Sequence, residues 1–222
     1  MATRQRDTAE QATARDGKNP PAGARVVRLP VPVSEAALVA ALEAGRVDAR
    51  AALFDRYGND VERVLYRTLG PDSEIADLLH DVFLVALTSL DQLQNPDALR
   101  SWLIGIAIRK ARKLINRRSR WSFIQLLPGF SLPEREAVNA SAEVSEALRA
   151  CYETLERMPT DERVVFALRH IDGMELTAVA AACEVSLATV KRRLSRGQKR
   201  FLALAERNDA LSDFVRGGSF SQ

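Results

Sequence analysis

The chain is poor in the residues that catalytic and extracellular proteins rely on. Two cysteines and two histidines occur among 222 residues. Cys151 and Cys183 sit in helical patterns with no metal-ligand spacing, which excludes a disulfide framework and fits a reducing cytoplasm. His80 and His170 fall in different expected domains. With no glycine-rich phosphate loop and no nucleophile beside a base, the sequence points away from an enzyme, and no cofactor or metal is expected. Aromatic residues make up only 6% and strand-like alternation is nearly absent. No apolar run approaches the ~18 residues of a membrane span. The N-terminal stretch lacks the apolar centre of a signal peptide, so no membrane association is expected.

What remains is helix-forming. Ala, Leu, Arg and Glu dominate a chain that is 46% hydrophobic and 27% charged. Residues 1–33 show no periodicity and read as a disordered arm. The expected helices are Glu35–Leu42, Ala49–Leu69 capped by Asp48, Ser73–Leu90 and Ala98–Arg118, with stops at Gly45 and Gly70-Pro71. Pro128-Gly129 and Pro133 break the pattern, so Trp121–Ala142 reads as a linker. Val144–Arg157 and Asp161–His170 follow, the latter capped by Thr160. Then come a short apolar helix, Leu176–Cys183, a tight turn at Glu184-Val185, and a long helix from the N-cap Ser186 to Leu202. Residues 208–222 read as a frayed helix end and tail. The fold class is all-α: two small helical domains, 34–120 and 143–207, joined by a flexible linker. The second carries a helix-turn-helix, whose final helix enters the DNA major groove.

Charge is segregated. Residues 34–99 hold twelve acids and five bases, net −7, whereas residues 100–120 hold eight bases and no acid. On a helical wheel, Leu103, Ile104, Ala107, Ile108, Ala111, Leu114 and Ile115 share one arc. Arg109, Lys110, Arg112, Lys113, Asn116 and Arg117 share the opposite one, with Trp102 and Ile106 among them. Apolar groups inside a basic stripe suit a surface that meets both phosphates and bases. Residues 186–207 carry seven bases and one acid. An acidic surface repels DNA but can dock a basic protein surface, so one domain is equipped for a protein and a nucleic acid together.

Four motifs, in order and spacing, carry a resemblance: Asp77-Leu-Leu-His-Asp-Val-Phe83, Trp102-Leu-Ile-Gly-Ile-Ala107, Leu155-Glu-Arg-Met-Pro-Thr-Asp-Glu-Arg163 and Thr189-Val-Lys-Arg-Arg-Leu194. They resemble motifs of the extracytoplasmic-function (ECF) class of bacterial RNA polymerase sigma factors, over about residues 34–118 and 144–204. His80 stands where Gln is usual, Lys113 where Asp is common and Glu184 where Gly is usual. Ala188 and Arg192 replace common Gly and Ser.

The resemblance implies promoter recognition by an alternative sigma factor. Asp77, His80, Asp81 and Leu84 would dock the clamp helices of core RNA polymerase. Asn95, Trp102, Ile106, Arg109, Lys110, Lys113 and Arg117 would engage the minus-10 element, Asn95 holding an extruded base and Trp102 wedging the duplex edge. Ser186, Ala188, Thr189, Lys191, Arg192, Ser195, Arg196 and Lys199 would meet the minus-35 element. There Arg192 or Arg196 would read guanine, while Lys191 and Lys199 would touch phosphate. An anti-sigma factor would be a further partner. The alternative is a stand-alone helix-turn-helix regulator that does not bind polymerase.

Overall fold

The computed structural model describes residues 34–124 and 142–216, so the arm at 1–33, most of the linker and the last six residues lie outside the described part. Every regular element among the described residues is helical. Ser34 opens α1 (Glu35–Glu43), its hydroxyl accepting the Ala37 amide at 3.1 Å. Helix α2 (Val47–Leu69) begins before the expected Ala49. Asp48 does not cap it; it lies in the first turn and pairs with Arg46 at 2.5 Å. Gly70 ends α2 with φ of 84°, and a Cβ there would sit 2.7 Å from the Tyr152 ring. Only glycine satisfies both the torsion and the contact.

Helix α3 (Ile75–Thr88) is shorter than Ser73–Leu90, because the chain tightens into 3-10 turns at Leu90–Gln92 and Pro96–Ala98. Helix α4 (Leu99–Ile124) overruns its expected end into the segment read as linker.

Helix α5 spans Ala142–Glu156 and α6 Thr160–Phe166. Pro159, not Thr160, precedes α6 in extended conformation, and the Thr160 hydroxyl lies 2.6 Å from Asn116 Oδ1 of α4 instead of capping. The helix expected to run to His170 widens into a π-turn, Ala167–Ile171, where the Asp172 amide reaches the Ala167 carbonyl at 2.9 Å. Helix α7 (Leu176–Cys183) has the expected bounds. It stops at Glu184, a non-glycine residue in left-handed conformation (φ 55°, ψ 43°), which costs about 1 kcal/mol. Ser186 caps α8 (Leu187–Ala205), accepting the Thr189 amide at 3.2 Å. Helix α9 (Asp209–Arg216) extends order into the expected tail.

The two helical groups share a core. The cluster built by α1–α4 takes in Val164, Val165, Leu168, Val179, Ala182, Cys183 and Val190 from the C-terminal half. A smaller cluster joins Tyr152, Leu155, Phe166 and Phe201, the two phenylalanines stacked at 4.6 Å.

Candidate nucleic-acid and polymerase interface

Helix α3 buries Ile75, Val82, Phe83 and Ala86 and leaves Asp77, His80, Asp81 and Leu84 on one exposed stripe. Leu84 is 48% exposed, and so is Phe54 of α2 at 46%, tilted against Phe83 at 5.0 Å. Phe54 was not foreseen from sequence: it follows the buried Leu53, and only the packing of α2 on α3 brings it beside this stripe. Lys110 of α4 donates to Asp81 at 2.9 Å and holds its carboxyl below the usual range. Between α3 and α4 runs a groove of about 740 Å³, lined by Leu78, Asp81, Lys110, Lys113 and Arg117. At its far end Arg118 and Arg117 grip Glu74, at 2.8 and 2.5 Å.

Asn95 is exposed on the loop before α4, and its Oδ1 accepts the Asp97 amide at 3.1 Å. Its side-chain oxygen therefore serves as a local cap. Trp102 is half-buried against the core. Ile106 departs from its expected place: at 2% exposure it is buried, not part of an open basic stripe. The reason is that all six residues from Leu103 to Ile108 are buried, almost two turns of helix. One flank of α4 packs on α2 and α3, and the other is covered by α6 and α7.

Two basic residues of α4 at the edge of that contact, Arg109 and Arg112, also line the groove and have partners in the C-terminal half. Arg109 pairs with Glu184, and Arg112 with Asp161, which also binds Arg193 at 2.5 Å. Asp172 draws Arg63 of α2 to 3.3 Å. Arg163, 4% exposed, reaches back from α6 to donate to the carbonyls of Thr68 (3.3 Å) and Leu69 (3.2 Å). It thereby satisfies acceptors that the end of α2 leaves open. These partners were missed because they lie 32 to 109 positions apart in sequence, where no local pattern links them. Magnitudes rank the forces: exposed ion pairs contribute ~0–1 kcal/mol each, and a fully buried Ile or Leu ~1.5–3 kcal/mol. Apolar contact therefore does most of the closing, and the ion pairs set its register.

Helix α8 is built differently. Val190, Gly197, Phe201 and Ala205 form one buried stripe. Opposite it, Ser186, Ala188, Lys191, Arg192, Ser195, Arg196 and Lys199 are exposed, with Thr189 half-buried. Gly197 lets α8 approach α6, since a Cβ there would lie 3.3 Å from the Glu162 carbonyl. Arg196 leans toward Glu162 at 3.6 Å, and Arg200 binds it at 2.9 Å. Burial raises the thiols of Cys183 and Cys151 to about 11, which keeps both protonated and unreactive near neutrality.

Comparison with known proteins agrees with this layout. The family model for sigma-70 region 2 matches residues 53–121, and that for sigma-70 region 4 matches residues 148–201. The chain is 24% identical over 176 residues to the ECF RNA polymerase sigma-E factor of Escherichia coli (strain K12), covering 75% of this chain and 92% of that protein. It is 23% identical over 181 residues to the protein of the same name from Haemophilus influenzae, covering 75% and 93%. Among solved structures it is similar to CnrH in complex with the cytosolic domain of CnrY, with a TM-score of 0.56 and 25% identity, covering 78% of this chain and 97% of that one. The fold is also that of the sigma factor RpoE of Bartonella quintana, solved with the anti-sigma factor NepR, with a TM-score of 0.50 and 20% identity, covering 70% and 95%. With matched regions in the order of its two basic helices, the chain belongs to the ECF class of bacterial RNA polymerase sigma factors.

Proposed function

We propose that the alternative sigma activity of this chain is divided among three surfaces. The exposed stripe Asp77, His80, Asp81 and Leu84, extended by Phe54, docks the clamp helices of core polymerase: acids meet a basic surface and Leu84 and Phe54 supply the apolar centre. Lys110, Lys113 and Arg117, along the groove beside α4, take the backbone of the opened minus-10 strand. Arg109 joins them once released from Glu184, and Asn95 and Trp102 handle unstacked bases at the helix start. Ile106 is buried and does not touch DNA.

The exposed face of α8 reads minus-35 duplex. Arg192, which has no ion pair among the described residues, is the better candidate for guanine than Arg196, which Glu162 draws aside. Residues 34–120 and 143–207 act as the two functional domains. The site of action is the cytoplasm, where polymerase works; among the described residues no helix is long and apolar enough to cross a membrane. An anti-sigma protein is the expected regulator, by extension from the Bartonella relative.

The observation that carries this reading is the succession of an exposed acidic helix and two basic helices within regions 2 and 4. Its test is in vitro transcription with core polymerase and a genomic fragment library. Promoter-specific transcripts that depend on the added chain are expected, and a chain that fails to bind core overturns the proposal.

A further inference from the structure

Among the described residues, four large apolar side chains are exposed: Val47, Phe54, Leu84 and Leu187. Phe54 and Leu84 lie on the surface assigned to polymerase, and Val47 is the first residue of α2. Leu187 stands apart from these, as the first residue of α8. It is 37% exposed and packs into neither apolar cluster of the core. Its neighbours Ser186 and Ala188 are exposed as well. One turn further on come Lys191 and Arg192, on the same outer face.

The polar groups at this end of α8 are committed to the helix start. The Ser186 hydroxyl accepts the Thr189 amide at 3.2 Å and lies 3.0 Å from the Thr189 hydroxyl. What the first turn offers outward is therefore the Leu187 side chain and the Ala188 methyl. The N-terminal residues of a recognition helix are the ones that reach base edges. An apolar group pressed against a base donor or acceptor would leave that group unpaired, at a cost. Of the four bases, only thymine presents a methyl group in the major groove, and apolar side chains are its partners there.

We propose that Leu187, with Ala188 beside it, is a specificity-determining residue that reads the C5-methyl of a thymine in the minus-35 duplex. The inference rests on the reading of α8 as the minus-35 helix. It also fixes a spacing. Arg192 follows Ala188 by four residues and Leu187 by five, about 6–7.5 Å along the helix axis. At about 3.4 Å per base pair, the thymine lies about two steps from the guanine that Arg192 reads.

The test uses the full chain and a library of random-sequence duplexes. The enriched duplex is then remade with each thymine singly replaced by uracil, which pairs alike and lacks only the methyl. Fluorescence anisotropy gives the affinities. At one thymine, about two steps from the guanine that Arg192→Ala ceases to select, uracil should weaken the wild type about fourfold, the worth of one buried methyl group. Leu187→Ala should bind the thymine duplex about as weakly as the wild type binds the uracil one, and should no longer respond to the exchange. Leu187→Met, which keeps an apolar side chain of similar volume, should retain the response. Thermal unfolding of Leu187→Ala should match the wild type, since the side chain lies outside both clusters.

A uracil exchange that is silent at every thymine, while Arg192→Ala still shifts the preferred sequence, overturns this inference and leaves α8 as the reading helix. An equal uracil penalty in the wild type and in Leu187→Ala also overturns it, since another residue then holds the methyl. If neither Arg192→Ala nor Leu187→Ala alters the preferred sequence, the reading of α8 itself falls, and this inference with it.

Discussion

Helices α4 and α8 carry nearly the same charge, eight bases without an acid in residues 100–120 and seven against one acid in residues 186–207. Their situations are opposite. Helix α8 has a narrow apolar stripe and offers its other side to solvent. Helix α4 is apolar around nearly its whole circumference from Leu103 to Ile108 and is packed between the two halves of the molecule. A run of lysine and arginine therefore does not by itself define an open nucleic-acid surface. The width of the apolar arc beneath it decides whether the cations face water or a protein carboxylate.

This contrast breaks most visibly at Ile106. If α4 is truly enclosed, Ile106→Ala should lower stability by about 2–4 kcal/mol through lost burial and the cavity left behind. Chemical denaturation at constant m-value checks this, and a change within about 0.5 kcal/mol, as for a surface site, would restore the one-sided picture of α4. On α8 the largest effect should be one of specificity. Arg192→Ala should erase about 1–3 kcal/mol of discrimination at one base pair of the minus-35 element, read from binding to a set of single-base promoter variants. Lys199→Ala should weaken all of these evenly and reduce the salt slope by about one. Identical profiles for the two variants would refute the division between reading and positioning.

The smallest effect concerns acid. Glu74 ties the start of α3 to the far end of α4; burial pushes its carboxyl up, but Arg118 and Arg117 outweigh burial and hold it below its ordinary 4.5. A depressed folded-state pKa gives stability that is present above the unfolded value and disappears as pH falls through the folded one. The stability difference between wild type and Glu74→Gln should thus be present at neutral pH and vanish on acidification below 4.5. A difference that persists in acid would mean that Glu74 acts through packing alone.

Much of this architecture was legible from local signals. Ser186, Gly45 and Gly70 marked helix ends by their own chemistry, and the bounds of α7 follow from its apolar run. Local signals failed where a competing partner intervened. Thr160 looked like a cap but turns to Asn116, and Asp48 looked like one but binds Arg46. Ile106 was placed outside because a helical wheel assumes one buried side. The second side of α4 is buried by α6 and α7, some 60 to 80 positions further along, and nothing local announces that. For the same reason the turn residue Glu184 was recognised as unusual while its bond to Arg109 was not.

Arg163 gives the closed arrangement a further meaning. The last turn of α2 is completed by a guanidinium from the other half of the chain, on the carbonyls of Thr68 and Leu69, with Gly70 seated on the Tyr152 ring. When the halves part, those carbonyls pass to water and the final turn loses its terminator. Separation is thus coupled to fraying of one specific helix end. Amide hydrogen exchange at the end of α2 should quicken in step with opening, so a local protection factor there becomes a gauge of the global equilibrium.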